Sequence, residues 1–227
     1  MFKQRTPRWI LTGAFMLALG AGAINAVGFL GAHHQGISHM TGTVSLVGTR
    51  VAALEWAEAL AALLMIVCFF AGAFLSGFVI RENTLRMGRR YGAVLTIEAA
   101  VLLMATYLFE GGSWTGAYFA AAACGIQNAM ATSYSGAVIR STHVTGIVTD
   151  VGIACGHALR GAKVDWARMR LYGVIFSGFA LGGIAGAAGY LKFGYRMLYF
   201  PACLSGCTGL GYTLYKQWQR YRNTRAA

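Results

Sequence analysis

The chain has 227 residues, of which 57% are hydrophobic and 11% charged, and its mean hydropathy is +0.55. This composition excludes an ordinary soluble protein and indicates a polytopic protein that lies in the lipid bilayer as a single domain over residues 1–227. The net charge of +12 does not indicate nucleic-acid binding, because the basic residues lie at the ends of apolar runs and face lipid headgroups. The five cysteines lack the paired spacing of a zinc site or disulfide framework, so no cofactor is expected.

Six apolar runs of about 20 residues follow one another along the chain, the length that a helix needs to cross a hydrocarbon core of about 30 Å. The first run follows three basic residues and resembles a signal peptide. Its segment 22–26 recurs as residues 125–129, however, so we interpret the run as a retained helix. The six runs are residues 9–30, 58–80, 91–109, 115–136, 167–190 and 195–216.

A repeat divides the chain into two halves. Residues 38–48 recur as residues 142–152, with histidine, threonine, glycine and valine residues in common at an offset of 104. The first apolar runs of the two halves align at an offset of 103, and the last two runs of each half align at 106. Such a repeat is typical of a duplicated membrane protein. We predict internal repeats at about residues 9–109 and 115–216.

Each repeat contains a short element, at residues 40–54 and 143–159, which as a helix rises less than the thickness of the hydrocarbon core. The chain therefore has either eight spans or six spans and two re-entrant elements. Six spans place 16 of the 19 Lys and Arg residues in the cytoplasm, and eight spans place only 12 there. We predict an all-α protein with six transmembrane helices, two short re-entrant half-helices and both termini in the cytoplasm.

An odd number of true spans per half makes the two copies inverted, as a 3+3 repeat. The two short elements then enter the membrane from opposite faces. Non-helical backbone at membrane depth needs protein or water to satisfy its N–H and C=O groups. We expect the N-termini of the two short helices to approach one another near the midplane, where their dipoles favour an anion.

Four motifs carry a resemblance to a known family: residues 28–30, Met40-Thr41-Gly42, residues 125–129 and residues 142–152. Through these motifs the chain resembles the YoaK family of bacterial inner-membrane proteins, which carry a domain of unknown function. The resemblance covers nearly the whole chain. It implies six spans, a location in the bacterial inner membrane and the activity of a small-molecule permease.

The candidate substrate-binding residues are small or polar residues, most of them at matched positions of the two halves. Glycine permits close backbone approach at the start of each short helix, and a threonine hydroxyl can contact a ligand, although tight helix packing explains both equally well. Buried amides either line the solute path or form hydrogen bonds between helices. The candidates are Thr41, Gly42, Thr145, Gly146, Asn25, Gln127 and Asn128.

Ionisable residues inside the apolar segments are candidates for proton or ion coupling, because a charge in a membrane helix is costly and usually functional. Asp150 could instead pair with a nearby arginine, Arg140 or Arg160, and a buried glutamic acid could simply bond a neighbouring helix. A histidine titrates near neutral pH, but it could also cap its own re-entrant loop. The four candidates are Asp150, Glu98, His39 and His143.

Three functions fit these patterns. We expect a secondary transporter or permease for a small solute, with anions as the candidate class and with its site at the midplane between the repeats. The alternatives are a passive channel and a membrane scaffold or assembly subunit without transport. No enzyme motif is present in the sequence, so an enzyme is not expected. A protein with only six spans is small for a transporter, so a homodimer is plausible.

Overall fold

The computed structural model describes residues 7–31, 35–80, 89–135 and 144–225, and all regular structure within these ranges is helical. Eight α-helices follow one another there, and a short 3-10 helix, Gly194–Leu198, joins the last two. The α-helices are α1 (Arg8–Leu30), α2 (Met40–Ala52), α3 (Trp56–Val79), α4 (Arg89–Glu110), α5 (Thr115–Ser135), α6 (Val144–Leu159), α7 (Trp166–Phe193) and α8 (Tyr199–Arg225).

Four stretches of the described residues are long and apolar enough to cross a membrane. They are Arg8–Leu30, Trp56–Val79, Arg90–Glu110 and Trp166–Tyr215, of which the last has 50 residues and takes in α7 and most of α8. Helix α5 has 21 residues, whereas α2 and α6 have 13 and 16 and rise only about 20 Å and 24 Å. The lengths and compositions of the helices are those of a polytopic membrane protein.

An acidic residue precedes the third helix of each half. Asp165 caps α7, because its carboxylate accepts hydrogen bonds from the backbone N–H groups of Ala167 and Arg168, both at 3.1 Å. Glu55 precedes α3 and pairs instead with Arg50 near the end of α2. The acidic residue therefore interacts with its own helix in one half and with the preceding short helix in the other.

Helices α1 and α7, from different halves, lie parallel with their backbones in contact. A Cβ atom added to Gly182 would lie 2.0 Å from the carbonyl oxygen of Leu19, and one added to Gly22 would lie 2.1 Å from that of Phe179. Only glycine permits this approach, and small residues hold membrane helices together in this way. The first helix of one half thus packs on the third helix of the other.

Helices α3 and α5 form the same contact with the roles of the halves exchanged. A Cβ atom on Gly72 would lie 2.0 Å from the carbonyl oxygen of Ala122, and one on Gly125 would lie 2.0 Å from that of Phe69. Comparison of the two interfaces gives an offset of 103 between α1 and α5, as predicted. Between α3 and α7 it gives an offset of 110.

The offset of 110 corrects the predicted offset of 106 by one helical turn. At 110 the buried positions of the two helices coincide, for example Met65 with Ile175 and Gly72 with Gly182. Both helices also begin at a tryptophan, and these tryptophans are 110 residues apart. Buried glycines recur every fourth residue along α7, so a comparison of sequences alone can slip by one turn and still match small residues.

Helices α4 and α8 cross antiparallel. Gly92 is in backbone contact with Gly209, and further along α4 Glu98 is bonded to Ser205. Their buried faces coincide at an offset of 107, one residue more than predicted, so that Leu95, for example, matches Ala202. At this offset Glu98 and Ser205 occupy equivalent positions in the two halves.

The short helices lie at the periphery of the described structure. Helix α2 packs against α3 and α6 packs against α7, and α2 and α6 do not contact each other. Only Thr43 of α2 and Ile147 of α6 are buried. The expected meeting of the two helix N-termini is therefore not found among the described residues, since each short helix packs on the long helix that follows it.

Candidate functional site

A cavity of about 270 Å³ lies between α1, α4, α5 and α8. Its walls come from the beginnings of α1 and α4, the end of α5 and residues 204–212 of α8, which runs antiparallel to α4, so the four helices meet at the same end of the bundle. Aromatic and aliphatic side chains dominate, and none of the described residues that line it is charged. The lining includes Trp9, Leu17, Tyr91, Leu95, Met130, Ser205, Thr208 and Tyr212.

The inner wall of the cavity carries a hydrogen bond to a buried acid. Ser205 lines the cavity, and its hydroxyl donates to Glu98 Oε1 at 2.9 Å. Glu98 itself is completely buried, and its Oε2 atom has no hydrogen-bond partner among the described residues. The Cys124 thiol, buried on α5, lies close enough to interact electrostatically with this carboxyl group. The predicted candidate Glu98 thus lies directly behind the cavity surface.

Gln127 is a second predicted candidate that lies near the cavity. It is buried on α5, one helical turn before the lining residue Met130. A Cβ atom added to Gly20 would lie 3.7 Å from Gln127 Nε2 and 3.9 Å from the lining residue Leu204. The amide of Gln127 is therefore close to the inner end of the cavity.

The opposite end of the same four helices is closed. A single core cluster fills it, and Phe109 stacks on Tyr195 with a centroid distance of 4.2 Å and an interplanar angle of 2°. Tyr190 meets Tyr195 edge to face at 5.3 Å. At the cavity end the buried residues instead form two separate clusters, one around α1 and α7 and one around α4 and α5. The cavity lies between them.

Asn25 and Asn128 lie at equivalent positions of α1 and α5. The buried Asn25 amide donates to Ser38 Oγ at 2.6 Å and accepts from the Ser38 N–H at 2.9 Å, so it holds the segment before α2 against α1. Asn128 is half-buried, and its backbone carbonyl accepts a hydrogen bond from Thr132 at 2.7 Å. The hydrogen bonds of Asn25 hold a loop segment and do not join two helices, and neither amide lines the cavity.

The threonine–glycine pairs lie away from the cavity. Thr41 and Gly42 are exposed at the start of α2, and Thr145 is exposed next to the half-exposed Gly146 at the start of α6. His39 is also exposed and meets the Phe29 ring edge to face at 5.8 Å. The other histidine candidate, His143, lies outside the described residues. The described members of this group are therefore not brought together with Glu98.

The sequence pattern of a family described as "Protein of unknown function (DUF1275)" matches residues 13–211. The chain belongs to this family. The match covers most of the chain and is consistent with the resemblance to YoaK proteins, whose domain is likewise of unknown function. No curated protein and no solved structure matches the chain.

In this DUF1275 protein, Asp150 on α6 forms hydrogen bonds with side chains of α7. Its carboxylate accepts a hydrogen bond from Arg168 at 3.0 Å and another from the Tyr172 hydroxyl. The described arginine that pairs with Asp150 is Arg168, and not the expected Arg160; the other expected partner, Arg140, lies outside the described residues. Asp150 is half-exposed and lies outside the cavity lining, and its observed contacts fix α6 to α7.

Sequence reasoning missed Ser205 and the aromatic residues at the cavity mouth. A serine in an apolar helix is common and carries little signal by itself. At the predicted offset of 106, Glu98 matched Leu204, whereas the observed offset of 107 matches it with Ser205. Correct alignment of the two halves would have placed two polar residues at the same position.

Proposed function

We propose that this protein is a secondary transporter for a small solute, in the bacterial inner membrane, with six transmembrane helices arranged as two inverted repeats. The main support for this proposal is an asymmetry in the junction between α1, α4, α5 and α8. These four helices enclose a cavity at one end of the junction and a packed core at the other. Equivalent positions differ accordingly: Leu95 lines the cavity, and Ala202 is in the core. A rocking motion that exchanges the two ends would give access from the other side.

The directions of the helices support six spans over eight. Six spans make α4 and α8 antiparallel, as their contacts require, whereas eight spans would make them parallel. The count of basic residues agrees, because six spans place most Lys and Arg residues on one side. With the N-terminus in the cytoplasm, the beginning of α1, and therefore the mouth of the cavity beside Trp9, faces the cytoplasm.

The bond between Glu98 and Ser205 supports a central site. In two halves related by a twofold axis, an antiparallel contact between equivalent residues lies on that axis. Glu98 and Ser205 are such a pair, at 2.9 Å. A group on the axis stays at the centre while the helices around it exchange their packing partners. Transporters built from inverted repeats bind their solutes at such a central position between the repeats.

Paired cysteine substitutions test the proposal. In a chain whose native cysteines have been replaced, Leu95→Cys and Ala202→Cys are each exposed to a membrane-impermeant maleimide from one side of sealed vesicles. We expect Leu95→Cys to react from the cytoplasmic side and Ala202→Cys to react only from the opposite side. Ala100→Cys, on an exposed face of α4, is the control for reactivity from within the lipid.

Two results would contradict the proposal. If Ala202→Cys never reacts, the closed end does not open and the protein is a static scaffold. If either cysteine reacts equally from both sides, the junction is a continuous pore and the protein is a channel.

A further inference from the structure

We infer that the inner end of the cavity is a site that a proton and a lipophilic organic cation occupy in turn, with the Glu98 carboxylate as their shared partner. The inference rests on the proposed transport function and identifies the solute class and the coupled ion. Its basis is the juxtaposition of a buried, half-paired carboxyl group with an uncharged aromatic cavity.

A carboxylate in the membrane interior requires a neutralising partner, because an unpaired charge there is costly. Among the residues that the structure describes, the groups that face Glu98 do not supply one: Ser205 comes from α8 and Cys124 from α5. Arg196, in the 3-10 helix, pairs with Glu110 at the far end of α4, and on α3 the described acid Glu58 pairs with Arg50. Either a bound proton or a cationic solute can therefore neutralise Glu98.

The cavity walls favour an apolar cation over an anion. The described lining contains no lysine, arginine or histidine that could bind a carboxylate or phosphate. Rings of Trp9, Tyr91 and Tyr212 surround the space, and the face of an aromatic ring attracts a cation. The expectation of an anion depended on helix N-termini that do not meet, and the cavity provides no other anion-binding group among its described residues.

Because one positive charge is enough to neutralise Glu98, a proton and a cationic solute do not occupy the site at the same time. When a cation enters, Glu98 releases its proton to water in the cavity, and the carboxylate, which still accepts the hydrogen bond from Ser205, neutralises the cation from behind the cavity wall. When the cation leaves, a proton returns along the same path, and the site is neutral in both states. One cation bound should therefore release about one proton, and the apparent Kd should rise about tenfold for each unit by which the pH falls while Glu98 is the group that titrates.

The test uses the full chain purified in detergent and benzyltrimethylammonium as the probe. This aromatic cation is permanently charged, so any proton released comes from the protein. Binding is measured by calorimetry at several pH values around neutrality, and proton release by an indicator dye in weak buffer. Benzenesulfonate serves as an anionic probe of similar size.

Two variants test whether Glu98 itself, and not any acidic residue of α4, is responsible for the exchange of a proton for the cation. Glu98→Gln keeps an acceptor for Ser205 and the shape of a protonated acid, so it should fold. We expect it to release no protons and to lose the pH dependence of binding, with affinity at least about tenfold weaker. Glu110→Gln removes an acid near the other end of the same helix and should behave like the wild type.

The inference is overturned if the cation binds without proton release, if Glu98→Gln keeps the pH dependence, or if benzenesulfonate binds in place of the cation. Each of these results leaves the cysteine-labelling test of transport unaffected. Failure of the labelling test, in contrast, would contradict the proposed transport. The calorimetry would still report whether the site exchanges a proton for a cation.

Discussion

The two halves of the chain share their packing contacts but place charge differently. In the first half, Arg50 on the short helix pairs with Glu58 on the long helix at 3.0 Å. In the second half, Asp150 on the short helix pairs with Arg168 on the long helix, also at 3.0 Å. Glu58 and Arg168 are equivalent positions at the offset of 110, so the polarity of the pair is reversed. Inverted repeats would place these pairs at opposite faces, and the cation on α7 would then follow the positive-inside rule.

The glycine contacts, in contrast, are the same in both halves. Backbone contact tolerates only glycine, whereas an ion pair at the surface can change as long as its partner changes with it. The packing of α1 on α7 and of α5 on α3 thus uses glycine at matched positions. The charged positions differ between the halves, and at the centre the matched positions hold Glu98 and Ser205.

The largest effect should come from Gly182→Leu. Its side chain would overlap the α1 backbone, where a Cβ atom alone lies 2.0 Å from Leu19 O, so we expect loss of the folded, monodisperse protein in detergent. Gly183→Leu is the matched control, since a Cβ atom there meets nothing within 4 Å. Equal damage from Gly72→Leu, with Gly77→Leu harmless, would confirm that the two interfaces are equivalent. Tolerance of leucine at Gly182 would contradict the α1–α7 contact.

Phe109→Ala should weaken the closed end. Removal of a buried phenylalanine typically costs about 3 kcal/mol of stability, and the stacked partner Tyr195 loses its contact. We expect a lower midpoint of thermal unfolding and faster maleimide labelling of Ala202→Cys in the same chain. Phe119→Ala, at an exposed site on α5, is the control and should change neither quantity. Unchanged labelling would show that the stack does not keep the junction closed.

Ser205→Ala should have a moderate effect. The substitution leaves the buried Glu98 without its hydrogen-bond donor, and an unsatisfied buried group costs about 1–3 kcal/mol. Thr208→Val removes a hydroxyl one turn further along α8, which donates to the backbone carbonyl of Leu204 in its own helix, and should cost less. Denaturation of the two variants in the same detergent measures the difference. Equal stability of the two variants would mean that the Ser205 bond contributes nothing.

The smallest effect on stability should come from Asp150→Asn. The pair with Arg168 is partly exposed, and exposed ion pairs contribute at most about 1 kcal/mol. We expect little change in the unfolding midpoint, and more frequent protease cleavage near α6 because its tether is weakened. The exchange Asp150→Arg with Arg168→Asp should restore protection. If the single variant abolished cation binding without affecting cleavage, Asp150 would belong to the transport path after all.

The positions of the helices along the chain were predicted well, and the alignment of the helices of the two halves less well. Five of the six long apolar runs and both short elements became helices close to the expected bounds, because hydropathy and length are local properties. The last run, predicted at residues 195–216, is instead a 3-10 helix followed by α8, which begins at Tyr199 and continues to Arg225. The offset between α3 and α7 was wrong by one turn, since the repeated glycines of α7 allow several alignments. Of the candidate site residues, Glu98 lies behind the cavity wall and Gln127 near its inner end, whereas Thr41 and Thr145 are exposed elsewhere.

By itself, the sequence determined that this protein is helical, that it has several segments long and apolar enough to cross a membrane, and that it belongs to its family. Only the tertiary structure decided which end of the four-helix junction is open and that Glu98 meets Ser205, 107 residues away. The physical reason is that hydropathy is summed along the chain, whereas a cavity depends on how closely side chains from distant helices fill a shared space. That filling differs between the two ends of the same helices.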